Sequence, residues 1–461
     1  MVAFHWAHGF RSHFNICRLY DCPVDFDLTA LERAVGHVID EHEALRLRFG
    51  VQGGRLVQEV RPAGRVPFQI ERYDERSTPA PRRAARVEAI AQRVQAGLRL
   101  DDERPLVRVA HVDFGPEAPG RLVVAVHHFA LDGYSFSLFL RHVQASYEAL
   151  RAGAPPPGRA AGSATLSAWL RAHHAYAHGE AERQLAHFRE QPWGRYCPAG
   201  LKGGGEAGPA EVAAERVYEA HRAIHYYHRG DGSVSEADYR RACELAGRYY
   251  VALSAADTRA LLARAAASPE DRYVLALVEA LAPLTGRRRL FLSFTVVNRL
   301  PFVVRERAFE TLGHLFEQMP LTLDLEGVAS EEAQLAAIAR ARKAYAQGLA
   351  FGPLKFVNEN PALRADIEAL PYPEVCLNVW TNDLSTFCDV LTPSAEFPGV
   401  ENALTLAREF RHASLWLQVM VEPSGLRVEL RYPPKEIAYA TVAAVGERYA
   451  RALRRAAGVE P

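Results

Sequence analysis

His127-His128-Phe129-Ala130-Leu131-Asp132-Gly133 is the stretch whose reading decides the fold. It closes an apolar run, Leu122 to Val126, that reads as a strand. It leads into Tyr134-Ser135-Phe136-Ser137-Leu138-Phe139-Leu140, which reads as the start of a helix. Two histidines at a strand end, followed by an Asp-Gly turn, can hold a general base. His128 is the candidate, because a neutral imidazole within hydrogen-bond reach of a nucleophile can take or position its proton. Alternation along the strand sends His127 to the opposite side, where it reads as structural.

Working outward, Val107 to Phe114 and Arg121 to His127 read as a strand pair, followed by a helix from Phe136 to Arg151. Upstream, Leu28 to Phe49 reads as one helix, with Asp27 or Thr29 as its cap. Leu56 to Val60 and Val66 to Tyr73 read as strands around a Pro-Ala-Gly turn, and Arg83 to Leu98 as a helix. Residues 151–164, dense in Pro and Gly, read as a surface connection. Beyond it, Leu166 to Glu190 reads as one long helix, and Val212 to Tyr227 and Ser235 to Leu245 as somewhat polar helices. A second core begins near Tyr249, with expected strands Tyr249 to Leu253, Leu290 to Val297 and Val375 to Val379, and helices Ala256 to Ala266, Asp271 to Leu281 and Glu331 to Gln347. A strand pair, Ala413 to Glu422 and Leu426 to Tyr432, and a helix from about Pro434 to Ala456 close the chain. Both halves mix sheet and helix without regular βαβ alternation, so the expected class is α/β, an α+β sandwich in each half. The expected domains are 1–164 and 165–461, with an atypical excursion at 201–245.

The bulk numbers fit two substantial cores, since 461 residues exceed the roughly 250–300 at which a single core stops growing. Lys plus Arg equals Asp plus Glu at 55 each, which leaves no electrostatic reason to expect nucleic acid or an anionic membrane. Six cysteines without a CxxC pair are too sparse for a disulfide scaffold and fit a reducing compartment. Met1 to Phe14, with His5, His8, Arg11 and His13, has no apolar signal-peptide core. No uncharged apolar stretch of about 18 residues is present, so the expectation is a cytoplasmic protein. His221, His225 and His228 share one helical face and could hold zinc. Tyr226 and Tyr227 interleave and no carboxylate is placed to orient them, so the reading is a solvated helix and no metal. Gly203-Gly204-Gly205 lacks the Lys-Ser/Thr of a phosphate loop, and no GxGxxG follows a strand.

The His127-His128-xxx-Asp132-Gly133 block resembles the signature of nonribosomal peptide synthetase condensation domains, in the chloramphenicol-acetyltransferase-like superfamily of acyltransferases. Phe14-Asn15-Ile16 resembles the family's "YNI", and His42-Glu43-Ala44-Leu45-Arg46-Leu47-Arg48-Phe49 its "HExLRTxF". Asn298-Arg299 falls where the family has Gly-Arg, and Gly313-His314-Leu315-Phe316-Glu317-Gln318-Met319-Pro320 resembles "GxFVNTLP". These blocks run from about residue 12 to 458. The departures are a missing Ser-x-x-Gln opening before Phe14, Tyr134 where many members have Trp, Glu317 in place of Asn, and no Arg at 322. The 201–245 segment has no obvious family counterpart, so the chain is expected to be an atypical member; with no adenylation domain and no serine in a Gly-Gly-x-Ser-like carrier context, it is expected to be free-standing.

The resemblance implies two similar lobes in a V-shaped pseudo-dimer with a tunnel between them. A donor acyl or aminoacyl group, held as a thioester on the phosphopantetheine of an acyl- or peptidyl-carrier protein, would meet a small amine or alcohol acceptor at His128. No permanently bound cofactor is implied, and the chain is expected to act as a monomer. His128 would act as base or orient the nucleophile, and Asp132 would pair with Arg299 from the other half to brace its loop. Asp132 could instead merely cap the following helix. Gly133 would permit a tight turn, and its N–H could steady an oxyanion. Tyr134, Ser293, Thr295 and Trp380 are candidates for the substrate channel, with aromatic packing or ordinary sheet positions as the competing reading. Glu43 and Arg46 are implied to be structural. The other classes weighed are a coenzyme-A-dependent O- or N-acyltransferase of the same superfamily and a non-catalytic carrier-protein recruitment domain. An epimerase is disfavoured, because that branch has further motifs not found here.

Overall fold

The computed structural model describes residues 14–53, 55–196, 201, 214–229, 234–265, 267–297, 299, 307–344, 349–371, 373–380, 391–394, 414–422 and 424–459. The expectations for the first 13 residues, for Lys202 to Pro209 and for Asn298 lie outside them. Contacts divide the chain into two compact units that are not contiguous in sequence. The first comprises 1–173, 297–315 and 382–405, and the second 174–296, 316–381 and 406–461. Sequence suggests a single cut at 164/165; the contacts instead return the segment bearing Arg299 to the first unit.

In the first unit, β1 (Asn15–Cys22) opens the chain and α1 (Leu28–Glu41) follows, capped by the Asp27 carboxylate on Ala30 N–H at 2.9 Å. The expected helix to Phe49 ends early, at Glu41: residues Glu43–Arg46 form a single 3₁₀ turn and β2 (Leu47–Gln52) begins at once. β3 (Arg55–Val60) pairs antiparallel with β2 across Gly53, whose φ of 56° suits the turn. It is therefore β2, not the 66–73 segment, that partners β3; only β4 (Glu71–Asp74) of that segment is strand.

After α2 (Ala80–Ala96) come β5 (Val107–Asp113), β6 (Gly120–His127) and α3 (Gly133–Arg151). The sheet order is the two-residue strand Thr392–Pro393, then β1, β6, β5 and β4. β6 is antiparallel to both β1 and β5, and β4 is parallel to β5. β6 is central and buried on both faces, which is why Leu122 to Val126 is continuously apolar rather than alternating. One face packs Cys17, Leu19, Ala110, Val112, Val123 and Ala125 against Val87, Ile90, Ala91 and Val94 of α2. α1 and α3 pack on each other.

The expected helix Leu166 to Glu190 is broken. α4 (Leu166–Ala177) stops before Gly179, whose φ of −148° and ψ of −91° are far from helical, and two short helical pieces follow. α5 (Ala214–Arg229) and α6 (Glu236–Ala246) pack through Ala220, Ile224, Ala242, Cys243 and Ala246, with Tyr250 and Tyr439 against them. That small cluster is the structure of the expected excursion. His221, His225 and His228 fall on α5, with side chains outside the described residues.

The second unit carries a six-stranded sheet. Its strands are β7 (Arg248–Ser254), β8 (Arg289–Val297), β9 (Phe316–Asp324), β10 (Val375–Trp380), β11 (Leu415–Glu422) and β12 (Gly425–Arg431), in the order β7-β12-β11-β10-β8-β9. β7–β12 and β12–β11 are antiparallel; β11–β10 and β10–β8 are parallel. Residues of α7 (Ala255–Ala263), α8 (Pro269–Thr285), α9 (Glu331–Lys343) and α10 (Tyr439–Ala457) join the core of this sheet. The fold class is thus α/β, as expected. Among the described residues no helix is long and apolar enough to cross a membrane. Cys17, Cys22, Cys243 and Cys376 are buried and form no disulfide.

Glu429 on β12 lies between two guanidiniums, 2.9 Å from Arg248 Nη1 and 2.8 Å from Arg431 Nη2. Burial alone would raise its carboxyl, but Arg248 and Arg431 outweigh it and hold the group well below the usual carboxylate range. A depressed carboxylate contributes stability above its unfolded value, about 4.3, and loses that contribution as pH falls below it. Glu429→Gln is therefore expected to cost about 3 kcal/mol at pH 7, where it leaves buried guanidinium uncompensated, and less at pH 4. Thermal unfolding at the two pH values checks this; an equal loss at both would contradict it.

Candidate active site

β6 ends at His127, and the chain turns through His128, Phe129 and Ala130 before α3 begins. His127 is fully buried. Its backbone N–H donates to Leu106 O at 2.8 Å, and its Nδ1 accepts from Phe129 N–H at 3.1 Å. An accepting Nδ1 puts the neutral ring's proton on Nε2, so His127 locks the turn from inside. His128 N–H donates to Phe14 O at 2.7 Å, which carries the β1–β6 ladder one step past the strand end. The His128 ring stacks on Phe14, with centroids 4.6 Å apart and planes 16° from parallel. Its Nδ1 lies 3.0 Å from Nδ1 of His314.

Asp132 fills both roles that the sequence leaves open. As the N-cap of α3, its Oδ1 accepts from Ser135 N–H at 2.7 Å. The same carboxylate takes a two-pronged ion pair from Arg299, Nη1 to Oδ2 and Nη2 to Oδ1, each 3.2 Å, with both side chains fully buried. Oδ2 also accepts from Leu315 N–H at 2.9 Å. Arg299 and Asp132 lie in the same compact unit, not in opposite halves. The Arg299 guanidinium lies under the Tyr134 ring, 4.6 Å from its centroid, and Tyr134 meets Phe309 edge-on. Tyr134 thus covers the ion pair. Gly133 is the buried first residue of α3 and does not have a left-handed φ, so its backbone there demands no glycine.

Ser135 completes the ring of contacts. Its hydroxyl donates to Gly313 O at 2.8 Å, while its oxygen accepts from Gly313 N–H at 3.0 Å and from Arg299 Nη2. Arg299 Nε and Nη2 also reach Thr311 O, and Thr311 Oγ1 donates to Ala164 O at 2.9 Å. Ser135, Phe14 and His314 stand in the sequence blocks without an assigned role. Nothing in a single sequence marks them, because their function depends on contacts across 178, 114 and 186 residues.

The His42 to Phe49 block supports the site from a distance. Glu43 accepts from Ser167 N–H at 2.6 Å, and Arg46 donates to Ile39 O and Arg61 O. His42 Nε2 lies 2.8 Å from Nδ1 of His142 on α3. Burial first, then the charge of His142, push the His42 imidazole down to about 3, so it is neutral near pH 7.

The remaining channel candidates sit in the second unit. Ser293 is buried on β8 opposite Cys376 of β10, and Thr295 Oγ1 is 4.0 Å from Cys376 Sγ. Burial pushes that thiol up to about 12, against hydrogen bonds from Thr295 and Ser293 that lower it, so it stays protonated. Trp380 is half-buried at the end of β10. Among the described residues, His174, His178 and Glu359 offer metal-ligand atoms within 4.8 Å of one another. His178 uses both ring nitrogens inside the protein: Nδ1 donates to His174 O at 2.9 Å, and Nε2 accepts from Glu359 N–H at 3.0 Å.

Comparison with known proteins agrees with the motif reading. Residues 1–193 match the model of the family described as Condensation domain. A linear gramicidin synthase of Brevibacillus parabrevis is 24% identical over 398 residues, 85% of this chain but 5% of that protein. This chain therefore spans a small fraction of the length of the curated relatives it matches. The epimerization domain from the third module of tyrocidine synthetase B superposes with a TM-score of 0.77 at 18% identity, covering 97% of this chain and 92% of that one. The first condensation domain of the calcium-dependent antibiotic synthetase, in complex with a substrate analogue, gives 0.66 at 20% identity, covering 100% and 95%. The family match covers the part of the chain that carries the His127–Gly133 block, and the similarity to a linear gramicidin synthase extends over most of the chain's length.

Removing one partner of the Asp132–Arg299 pair leaves an uncompensated buried charge. Asp132→Asn and Arg299→Leu are each expected to cost about 3–5 kcal/mol, against about 1 kcal/mol for Ser135→Ala, which removes hydrogen bonds but no charge. Denaturant midpoints at constant slope measure the ranking; a Ser135 loss equal to the Asp132 loss would contradict it.

Proposed function

We propose that this relative of the synthetase condensation domains transfers an acyl or aminoacyl group from a carrier-protein phosphopantetheine thioester to an amine or alcohol acceptor. The observation that carries the reading is the double fixation of His128, by the Phe14 stack and by the His314 contact, on a turn braced by a buried ion pair. Such a brace suits a side chain whose position matters.

His128 accepts the proton of the attacking amine or alcohol as the new bond to the thioester carbonyl carbon forms. The proton then passes to the departing phosphopantetheine sulfur as the C–S bond breaks. No protein nucleophile is required, because the thioester is already activated. Gly133 N–H, at the positive end of α3, is the proposed donor to the tetrahedral oxyanion. Asp132 and Arg299 act through the backbone and do not touch substrate. Phosphopantetheine is substrate here, delivered by the carrier, and no resident cofactor or metal is part of the proposal. The protein works as a monomer in the cytoplasm.

Intact-protein mass spectrometry of an acyl-loaded carrier, incubated with amine and alcohol panels and with acyl-CoA donors in parallel, tests this. Carrier-dependent product is expected, falling about 10²- to 10⁴-fold in His128→Ala while thermal stability is kept. Product only from acyl-CoA would select the simpler acyltransferase. Tight carrier binding without turnover would select a recruitment domain.

A further inference from the structure

The backbone of Gly313 and Leu315 is tied to Asp132 and Ser135, just after the His128 turn. Gly313 O accepts from Asp132 N–H at 3.1 Å and from the Ser135 hydroxyl, Gly313 N–H donates to Ser135, and Leu315 N–H donates to Asp132 Oδ2. His314 lies between these two clamped residues. Gly313 cannot be replaced cheaply, because a Cβ there would sit 2.7 Å from Leu315 Cδ2 and 3.0 Å from Leu166 Cδ1. The network that braces the His128 turn therefore also aims His314.

What it aims at is one atom. The two Nδ1 atoms are 3.0 Å apart, the rings meet edge-on at 79°, and Phe14 lies flat on His128. Two imidazole nitrogens at that distance share one proton: one ring donates and the other accepts. When His128 takes a second proton during acyl transfer, both of its nitrogens carry hydrogen. His314 Nδ1 must then be the acceptor, since two N–H groups pointing at each other repel.

We propose that His314 is a positioning residue for acyl transfer. It accepts the Nδ1–H of His128 and so assigns His128 the tautomer whose Nε2 lone pair takes the acceptor's proton. This inference rests on the reading of His128 as the base. Burial first, and the adjacent His128 next, hold His314 well below the ordinary histidine range, against hydrogen bonds to the backbone at His128 and Leu131 that favour its charged form. A ring that resists protonation is suited to accept without competing for the proton. Through the reaction, Nε2 gains the proton lost by the nucleophile as the C–N or C–O bond forms, and returns it to sulfur as the C–S bond of the tetrahedral adduct then breaks. The Nδ1–H of His128 keeps its bond to His314 throughout.

The test uses the full chain with ¹⁵N-labelled histidine in four forms: wild type, His314→Asn, His314→Leu and His128→Ala. The last identifies the His128 ring signals by their loss. Long-range ¹H–¹⁵N spectra report the tautomer without any substrate. Wild type is expected to show His128 protonated at Nδ1. Asn, whose Oδ1 can accept near the place of Nδ1, is expected to keep it, and Leu to shift His128 toward the Nε2–H form. With substrate, Leu is expected to lower kcat on the order of 10- to 100-fold with KM little changed, and Asn to restore it to within a few-fold. Wild-type His128 protonated at Nε2, or a Leu variant as active as wild type, overturns the proposal. The wild-type spectrum decides even where a variant fails to fold. Full turnover by His128→Ala would instead overturn the reading of His128 itself.

Discussion

The first compact unit depends on one buried ion pair. Asp132 and Arg299 have no exposed side-chain surface, and a pair so placed is costly unless every oxygen and guanidinium proton finds a partner. Here the carboxylate serves the α3 N-terminus, the Leu315 amide and the guanidinium at once, and the guanidinium also meets Ser135, Thr311 and the Tyr134 ring. The interaction contributes specificity more than stability: it joins the turn after β6 and the start of α3 to Arg299, 167 residues away, and to Leu315, 183 residues away.

That junction explains the division of the chain. A linear reading assigns 297–315 to the second half, yet Arg299, Thr311, Gly313 and Leu315 of it bond within the network around Asp132 and Ser135. Deleting the Asp132 carboxylate would release four contacts at once, so its effect cannot be confined to one loop. The same logic separates residues that touch reacting atoms from those that hold them still. His128 is proposed for the first group; Asp132, Arg299, Ser135 and Phe14 belong to the second.

Much of this is legible in the sequence. The apolar run Leu122 to Val126, the pairing with Val107 to Asp113 and the helix after Asp132 follow from periodicity and a cap. The Asp132–Arg299 pairing follows from family resemblance, because no local rule connects residues 167 apart. The errors have local causes. Leu45 continues the apolar stripe of α1, but residues 43–46 wind into a 3₁₀ turn whose apolar side chains are equally buried, so burial periodicity does not mark the end at Glu41. Gly179 interrupts a helix whose neighbours on both sides are good helix formers. β9 reads as a motif and not as a strand, since Phe316 to Asp324 mixes Glu, Gln and Pro into a buried position. His314 carries no signal at all: its meaning is the 3.0 Å contact, which exists only in the folded chain.

A double-mutant cycle on turnover tests most directly the claim that the buried network acts through His128. Wild type, Ser135→Ala, His128→Ala and the double variant would be assayed with a loaded carrier and acceptor, alongside their unfolding midpoints. The account predicts that Ser135→Ala slows wild type but adds little to the loss already caused by His128→Ala, while its effect on stability is the same in both backgrounds. Losses in turnover that multiply independently would contradict it, for then the network would serve catalysis by a route that does not pass through His128.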